Sequence, residues 1–507
     1  MSVRTAILDL GSNSFHVLVA DVDGHQVVPV LREREMLHLG RAVATHGEVP
    51  AELRERAVQV VGHLSELARR SGAGTVLAVA TAALRDARGG AEVIAELSIA
   101  AGTEIRVLDG LEEARLAYLG VRAAVAVPTE PVLVLDLGGG SLELAVGAGS
   151  DVTWSASTPL GVSRLSAGVH TDPPTREEVR SIRDRVDAEL DPLVDRIAAA
   201  APTQTIAVGG TVRALARVAA AGTGTWLPAT LNQLQLSTAE VHRLRDRMVA
   251  IDTVSRGRIP GMKTRRADHL HVAAVVVSRV LERLDLPRVT VSDWGLREGL
   301  LLDTFAISTA PSALQLRTDQ VSRLRESFLP DDPHPSHVAF LAALLFERTQ
   351  DLHGLAPDDR ELLRHAAELH AIGESIALRR QQVHGAYLVE NAELRGFDPA
   401  ETAMLATLVR FHRSRGIAAD HPPFASLDSE QRRRTERLLA LLQVADGLDR
   451  AHDQAVTGVE VHHDGEVVEL ALTGGGLHVT PDELARKTRM LSRVFDVEVR
   501  VRDLARR

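Results

Sequence analysis

Residues 132–148 read VLVLDLGGGSLELAVGA, which is an apolar run, a glycine-rich turn and a second apolar run, the pattern of a β-hairpin. A similar stretch, TAILDLGSNSFHVLVADV, occupies residues 5–22. Three residues of the first hairpin recur at one fixed offset in the second: Asp9, Gly11 and Ser14 return as Asp136, Gly138 and Ser141. Self-similarity at a fixed offset indicates a repeated structural unit, although two unrelated hairpins could share such a turn. We therefore predict two related halves.

Each predicted half continues with further strand and helix patterns. The strand-like segments are TVLAVAT at 75–81, EIRVLDG at 104–110 and TIAVGGT at 205–211. Thr175 and Glu178 have the spacing of a capping box that begins a helix. Strands that alternate with helices predict the α/β class. The predicted domains are two α/β halves, a mostly helical domain and a small α+β unit, at residues 1–128, 129–306, 307–455 and 456–507.

Composition limits the kinds of site that the chain can build. The 507 residues carry a net charge of -10, so a phosphate-binding surface has to be local, and we expect no specific nucleic-acid partner. The chain contains no cysteine, so a metal ion must bind through oxygen or nitrogen. We find no apolar run of about 18 residues and no signal peptide, and we expect a cytoplasmic protein without a membrane partner.

Three turns carry groups that could bind phosphate. Glycines let the backbone approach an anion closely, and backbone amides and hydroxyls donate to its oxygens. The candidate residues are Ser12, Asn13 and Ser14 in the first hairpin, Gly138, Gly139, Gly140 and Ser141 in the second, and Gly209, Gly210 and Thr211 before a predicted helix. Each turn alone could be conformational, since Gly, Ser and Asn are common in turns. Their repetition favours phosphate binding.

Acidic residues near these turns could hold a metal ion or a proton. Asp136 and Glu143 flank the second turn and could bind a hard cation directly or through water, which favours Mg²⁺, with Mn²⁺ as the alternative. Glu112 and Glu113 lie near the start of a predicted helix in RVLDGLEEARLAYLGV. Glutamates at that position are commonly solvated residues that the helix dipole favours, so the pair alone does not establish a catalytic role.

Seven blocks in register make the resemblance to one family specific. The blocks are LDLGSNSFH, ATAALRDAR, VLDGLEEARLAYLGV, VLDLGGGSLEL, TPLGVSRL, VGGTVRAL and VSDWGLREGLL. Over residues 1 to about 305 the chain resembles the exopolyphosphatase/guanosine pentaphosphate phosphatase (Ppx/GppA) family. The resemblance implies duplicated actin-like, ribonuclease H-like domains with the active site in their cleft.

The resemblance also implies roles for individual residues. Glu113, the second glutamate of EEAR, would activate water, and Asp136 with Glu143 would support the metal ion. Arg85 of the ALRDA block would contact substrate phosphate. Leu142 stands where the family often has Thr, so a hydroxyl contact is not expected at that position.

The predicted reaction is metal-dependent release of terminal orthophosphate from inorganic polyphosphate. Guanosine pentaphosphate (pppGpp) is the alternative substrate, because it also exposes a terminal phosphoanhydride. An actin-like kinase and a nonhydrolytic nucleotide sensor are alternatives from other classes. The EEAR block argues against the kinase, and the presence of Glu113 with the loop carboxylates argues against the sensor. Long members of the family imply a homodimer.

The helical region is similar to the HD-like extension of long family members. Its LHAIG segment, residues 369–373, has Ala371 where an HD signature has aspartate. Possible remnants of the metal-binding pattern are His337, His370, His384, His412 and Asp446. The missing carboxylate favours structural or substrate-channel roles over a second metal centre. Four arginines could contact phosphate or form solvated helix faces: Arg379, Arg380, Arg410 and Arg413.

Overall fold

The computed structural model describes residues 2–24, 26–126, 130–222, 224, 226–307, 312–475 and 481–503. The chain divides into two compact units. Unit 1 comprises Met1–Thr223 and Leu231–Ala313, and unit 2 comprises Gly224–Thr230 and Leu314–Arg507. The predicted boundary between residues 128 and 129 lies outside the described residues.

The first half of unit 1 is built on a mixed sheet with the strand order β3-β2-β1-β4-β5. Strands β1, β2 and β3 are antiparallel neighbours, whereas β4 and β5 continue the sheet in parallel with β1. The elements are β1 (Val3–Leu10), β2 (Ser14–Val22), β3 (Val27–Met36), α1 (Leu39–His46), α2 (Ala51–Arg70), β4 (Thr75–Ala80), α3 (Ala82–Asp86), α4 (Gly90–Ala101), β5 (Ile105–Val107) and α5 (Gly110–Arg122).

The second half repeats this arrangement in the order β10-β11-β9-β6-β7-β8. Here β6, β7 and β8 are the antiparallel strands, and β9 and β11 are parallel to β6. The elements are β6 (Val132–Leu137), β7 (Leu142–Ala148), β8 (Asp151–Thr158), α6 (Val162–Ser166), α7 (Arg176–Ala199), β9 (Gln204–Val208), α8 (Gly210–Gly222), β10 (Gln235–Ser237), α9 (Thr238–Val249), α10 (Thr253–Gly257), a 3-10 turn (Thr264–Arg266), α11 (Leu270–Arg283), β11 (Arg288–Val291) and α12 (Leu296–Thr304).

The shared strand order supports the predicted duplication. In both halves the D-L-G turn joins the first two strands of the sheet, so the turns after β1 and β6 occupy equivalent positions. The aliphatic residues of β1 explain its place inside the sheet, because Ala6, Ile7, Leu8 and Leu10 are completely buried. The predicted capping box of α7 is confirmed: the Thr175 hydroxyl accepts from the Glu178 amide, and the Glu178 carboxylate accepts from the Thr175 amide at 2.8 Å.

Helices α5 and α12 connect the two halves of unit 1. Helix α5, from the first half, packs on β7 and β8 of the second half and also on α12. Gly299 of α12 makes this approach possible, because a Cβ atom there would lie 1.8 Å from the carbonyl oxygen of Leu116. The start of each helix is thereby fixed beside the loops of both sheets.

Unit 2 is mostly helical and ends in a small sheet of order β12-β13-β14. Leucine-rich segments of its helices form one large apolar core, and α21 packs on α20. Its elements are α13 (Ala313–Phe328), α14 (Pro333–Arg348), α15 (Gln350–His353), α16 (Pro357–Leu369), a 3-10 turn (Ile372–Ser375), α17 (Gln381–Asn391), α18 (Pro399–Phe411), α19 (Pro422–Ala425), α20 (Ser429–Leu448), β12 (Val456–His463), β13 (Val467–Gly474), α21 (Pro481–Phe495) and β14 (Glu498–Asp503).

The predicted α/β class with mixed sheets and a helical C-terminal region is confirmed. The HD-like character of the helical region and the separate α+β unit stay predictions. Across the described residues, no helix combines the length and apolar character needed to cross a membrane.

Candidate active site

A cavity of about 170 Å³ in unit 1, here called the unit 1 cavity, is lined by the turns after β1 and β6 and by the β9–α8 junction. The sequence-predicted residues that line it are Ser12, Asn13, Ser14, Glu113, Asp136, Gly138, Gly139, Gly140, Ser141, Glu143, Gly209, Gly210 and Thr211. Residues far apart in the chain therefore meet at one site, as the repeated turns predicted.

The turn after β1 is held by hydrogen bonds on both sides. The Ser12 carbonyl accepts from the Gly40 amide at 2.7 Å, and the Asn13 amide oxygen accepts from the Ser163 hydroxyl of the second half. Arg297 donates to Nδ1 of His16 at 2.9 Å, which leaves Nε2 of a neutral His16 to donate to the Ser14 hydroxyl at 2.8 Å. This relay fixes the orientation of Ser14 at the cavity.

The turn after β6 is closed by its own backbone and by α6. The Gly138 amide donates to the Ser141 carbonyl at 3.0 Å, and the Val162 and Ser163 amides donate to the carbonyls of Gly138 and Gly139 at 3.1 and 2.8 Å. With these carbonyls occupied, the turn keeps one shape, and we expect it to need little reorganisation when an anion binds.

The β9–α8 junction brings cationic side chains to the cavity. Gly209 has a φ of 106°, a conformation that favours glycine, and α8 begins at the next residue. Arg213 of α8 and Arg266 line the cavity here. Burial, with Arg213 nearby, lowers the pKa of Arg266 to about 10. No carboxylate forms an ion pair with Arg266 within the described ranges, so this arginine is suited to bind an anionic ligand.

Glu113 reaches the cavity from the first turn of α5. The helix begins there because the Asp109 carboxylate caps it, accepting from the Glu112 amide at 2.8 Å. The Glu113 side chain is only 8% exposed and is ion-paired with Arg85, whereas Glu112 is more exposed and pairs with Arg106. Of the two neighbouring glutamates, only Glu113 lines the cavity.

The surroundings of Glu113 raise its pKa to about 7. Burial is the largest cause, Arg85 opposes it, and the nearby carboxylates of Asp136 and Asp9 raise the pKa further. A carboxyl group with a pKa near neutrality can accept a proton at physiological pH and release it again. This pKa fits the general-base role that the family resemblance implies for Glu113, and that role stays a prediction.

Three further carboxylates, Asp9, Asp136 and Glu143, surround the two hairpin turns, and Arg297 lies 3.9 Å from that of Asp9. Asp136 and Glu143 are direct cross-strand partners on β6 and β7. Removal from water and repulsion by Asp9 raise the pKa of Asp136 to about 6, and burial beside Glu113 raises that of Glu143 well above its usual value. Clustered carboxylate oxygens whose pKa values are raised in this way fit a hard divalent cation.

Arg85 is the one sequence-predicted site residue outside the described lining of the cavity. Its Nη1 donates to the Leu108 carbonyl at 2.7 Å and pairs with Glu113, and its Nε lies 3.4 Å from Asp86. This geometry connects Arg85 to the site through Glu113, and its predicted contact with phosphate stays a prediction.

Several lining residues were not assigned from sequence: Asp9, His16, Arg213, Arg266 and Arg297. Asp9 was visible as the counterpart of Asp136, and Arg213 and Arg297 lie in the VGGTVRAL and VSDWGLREGLL blocks. Arg266 is the last residue of the 3-10 turn in the basic KTRR segment, which carries no specific signal. The missed residues are thus mostly the cations of the site.

Unit 2 contains a separate basic cavity of about 340 Å³. Its lining consists of His412, Arg413, Ser414, Arg415, Gln443, Gly447, Arg450, Glu483, Arg486, Lys487 and Arg489. Of the four arginines considered from sequence, Arg413 belongs to this lining, and Arg379, Arg380 and Arg410 do not. A local cationic surface therefore exists despite the negative net charge.

The histidines considered from sequence lie in different surroundings. His370 and His412 are buried, with Nδ1 of each donating to a backbone carbonyl, and Asp446 is buried with them. Nε2 of His337 instead lies 2.9 Å from the Val456 carbonyl, and His384 lies on α17. His334, which the sequence analysis did not name, contacts His370.

Comparison with family models and known proteins gives one consistent result. Residues 18–306 match the model of the Ppx/GppA phosphatase family, and residues 316–478 match the model of Ppx/GppA phosphatase, domain III. Exopolyphosphatase 1 of Mycobacterium tuberculosis is 32% identical over 304 residues, which are 59% of this chain and 88% of the relative. An uncharacterized protein of Streptomyces coelicolor is 34% identical over 59% of this chain and 90% of its own length.

Solved structures agree. An exopolyphosphatase from Cytophaga hutchinsonii superposes with a TM-score of 0.56 at 28% identity, covering 61% of this chain and 100% of that one. The Aquifex aeolicus member of the Ppx/GppA family gives a TM-score of 0.52 at 28% identity, covering 60% and 98%. The chain therefore belongs to the Ppx/GppA phosphatase family and is, as the sequence predicted, an enzyme of the hydrolase class.

Proposed function

We propose that the protein is an exopolyphosphatase, which hydrolyses the terminal phosphoanhydride bond of inorganic polyphosphate in a divalent-metal-dependent reaction. The observation that carries the proposal is the position of Glu113. Its carboxylate lines the unit 1 cavity, is almost fully buried and has a pKa of about 7. The names of relatives such as Exopolyphosphatase 1 support polyphosphate as the substrate.

In the proposed reaction, backbone amides and hydroxyls of the three turns donate to oxygens of the terminal phosphoryl group. Arg213 and Arg266 add positive charge on the side of the β9–α8 junction. Glu113 accepts a proton from water as the water oxygen attacks phosphorus. The P–O bond to the bridging oxygen breaks, and that oxygen leaves with the shortened chain as an anion. No covalent intermediate on the protein is required.

Asp136 and Glu143 are the proposed ligands of the divalent cation, with Asp9 beside them. Their raised pKa values support this assignment, because positive charge would relieve the repulsion between them. When bound, a cation such as Mg²⁺ or Mn²⁺ supplies neutralisation of the phosphate oxygens. The side chains hold this position from neighbouring strands, so it is rigidly connected to the turn after β6.

Polyphosphate is favoured over pppGpp by the lining of the cavity. A guanine pocket commonly offers an aromatic face for stacking, and no Phe, Tyr or Trp belongs to the lining within the described part of the chain. A polyphosphate chain requires only cations and donors, which the cavity supplies. The predicted homodimer and cytoplasmic location stay predictions.

The proposal is tested by orthophosphate release from long-chain polyphosphate, pppGpp and ATP, with Mg²⁺, Mn²⁺ or chelator. The wild type is compared with Glu113→Gln and with the matched control Glu112→Gln, which changes the neighbouring glutamate outside the cavity lining. We expect metal-dependent turnover of polyphosphate in the wild type and in the control, and its loss in Glu113→Gln.

Faster hydrolysis of pppGpp than of polyphosphate would replace the proposed substrate by the alternative. Phosphate transfer from ATP to an added acceptor, without hydrolysis of either polymer or pppGpp, would identify a kinase. Binding of these anions without any turnover would identify a sensor.

A further inference from the structure

A compact group of imidazoles and carboxylates is buried in unit 2, here called the histidine cluster and consisting of His334, His370 and Asp446. His334 lies in the first turn of α14, His370 directly follows α16, and Asp446 lies near the end of α20. All three are at most 4% exposed. Three helices therefore direct polar side chains to one point in an otherwise apolar core.

Hydrogen bonds to the outer nitrogens fix the tautomers of both rings. Nδ1 of His370 lies 2.6 Å from the Ala367 carbonyl, and Nδ1 of His334 lies 2.8 Å from a carboxylate oxygen of Asp449. Both partners are acceptors, so each Nδ1 carries the proton. In neutral rings the two Nε2 atoms consequently present lone pairs, yet they face each other at 3.2 Å. Two lone pairs at that distance need a positive centre between them.

The third member of the cluster completes a triangle. Oδ1 of Asp446 lies 3.8 Å from Nε2 of His334 and 3.6 Å from Nε2 of His370. The circle through these three atoms, with the nitrogens 3.2 Å apart, has a radius of about 2.1 Å, which is the distance at which Zn²⁺ binds imidazole nitrogen and carboxylate oxygen. One ion at its centre could bind all three atoms.

A shared proton would satisfy the cluster less well. A proton between the two Nε2 atoms would not reach Oδ1 of Asp446, because both distances to that oxygen exceed hydrogen-bond length. Lys487 pairs with the other oxygen, Oδ2, and so does not occupy the triangle. Of the two buried carboxylates here, Asp446 pairs with Lys487, and Asp449 accepts hydrogen bonds from His334 and from the Gln454 amide. With neutral rings these contacts leave one negative charge, which a cation would compensate.

We propose that His334, His370 and Asp446 bind one divalent transition-metal ion. Two imidazoles and one carboxylate favour Zn²⁺, Fe²⁺, Co²⁺ or Mn²⁺ over Mg²⁺ or Ca²⁺. Asp449 orients His334 from behind, the usual arrangement around a metal-bound histidine. Ala371 supplies no ligand, so the ion keeps coordination positions for water. Structural or substrate-channel roles were favoured from sequence because Ala371 replaces the aspartate of the HD signature, and His334 was not among the residues considered.

The test measures metal binding by the full-length protein and does not depend on its activity. The chelator-treated protein carries Asp136→Asn and Glu143→Gln, which remove the proposed ligands of the unit 1 cavity. Co²⁺ is titrated in while its visible d–d absorption is recorded, and Zn²⁺ is then added as a competitor. We expect one equivalent of Co²⁺, displaced by Zn²⁺.

Variants added to this background locate the ion. His370→Gln and, independently, His334→Gln should weaken Co²⁺ binding by about 100-fold or more, and Asp449→Asn should weaken it by about 10- to 100-fold. His337→Gln is the matched control, because His337 lies one turn along α14 and hydrogen-bonds to a carbonyl outside the cluster. Its affinity should be unchanged.

The proposal is overturned if the starting protein, in which His334, His370 and Asp446 are intact, shows no d–d band. It is equally overturned if the band persists in folded His370→Gln and His334→Gln protein, as judged by circular dichroism. Either result leaves the proposed phosphatase function untouched, because that function rests on unit 1.

Discussion

The carboxylates of the unit 1 cavity and those of unit 2 differ in how their charge is compensated. Burial and mutual repulsion raise the pKa of Asp136 to about 6 and that of Glu143 well above its usual value. Burial alone would also raise the pKa of Asp446 in unit 2, but Lys487 and His370 hold it well below its usual value. Asp449 is likewise held low by its bond to His334.

This difference separates a site whose carboxylates repel one another from one whose carboxylates already contact a lysine and a histidine. In the unit 1 cavity the charges of the carboxylates and of Arg266 are not fully neutralised by neighbouring groups. A bound cation would neutralise the carboxylates, and a bound phosphate would neutralise Arg266. Three potential ligand atoms lie within 4.8 Å of one another, among the described residues, only in the histidine cluster. The wider spacing in the cavity would leave room for several waters around the divalent cation that we propose there.

The largest expected effect is that of Glu113→Gln. If Glu113 is the proton acceptor, kcat for polyphosphate hydrolysis falls by about 10²- to 10⁴-fold in this variant, because the amide keeps the shape of the carboxylate and loses its basicity. KM should change little. Steady-state phosphate release measures both constants. Glu112→Gln should behave as wild type, and an equal loss in that control would mean that the helix start has been disturbed.

Arg266→Gln should have the next largest effect. An arginine without a carboxylate partner is expected to bind phosphate directly, so its loss lowers kcat/KM by about 10- to 100-fold, the value of a charge-assisted hydrogen bond. The exposed neighbour Arg265 provides the control Arg265→Gln. Unchanged kcat/KM in Arg266→Gln would show that the low pKa of Arg266 reflects burial alone.

Arg85→Gln should change the pH dependence more than the maximal rate. Glu113 must be ionised to accept a proton, so activity falls as pH decreases through its pKa, which is about 7. Arg85 lowers that pKa, and its removal should move the acidic limb of kcat/KM upward by about one pH unit. Activity near pH 7 then drops up to about tenfold, and it recovers at higher pH.

A pH profile of kcat/KM for wild type, Arg85→Gln and the exposed control Arg88→Gln measures this shift. If Arg85 instead contacts substrate phosphate, as the family resemblance implies, KM will rise at every pH and the acidic limb will stay in place. The experiment therefore distinguishes a residue that tunes Glu113 from one that binds substrate.

The parts of the site that were predictable from sequence are those formed by short segments. The two D-L-G turns fix backbone shape locally, and the EEAR block places Glu113 in the first turn of α5. Arg266 could not be found this way, because it reaches the cavity through the tertiary position of a short 3-10 turn. In unit 2 the sequence pattern pointed to His337 and not to His334, one turn away on α14, since only packing decides which of the two faces His370.

The smallest expected effect concerns stability, and it differs in sign between the two units. The folded pKa of Asp136, about 6, exceeds its ordinary value of 3.8. The free energy of unfolding therefore falls as pH rises from 3.8 to about 6, and the ionised carboxylate destabilises the folded protein fully above that range. In chelator at pH 8, Asp136→Asn should therefore raise the Tm of unit 1, by about 3 °C. Asp151→Asn, an exposed change on β8, should leave the Tm unchanged.

Asp446→Asn should instead lower the Tm of unit 2, because Lys487 loses its buried partner. Calorimetric scans at pH 4 and pH 8 measure these differences, and a lower Tm for Asp136→Asn at pH 8 would mean that its carboxylate is compensated in the folded protein after all.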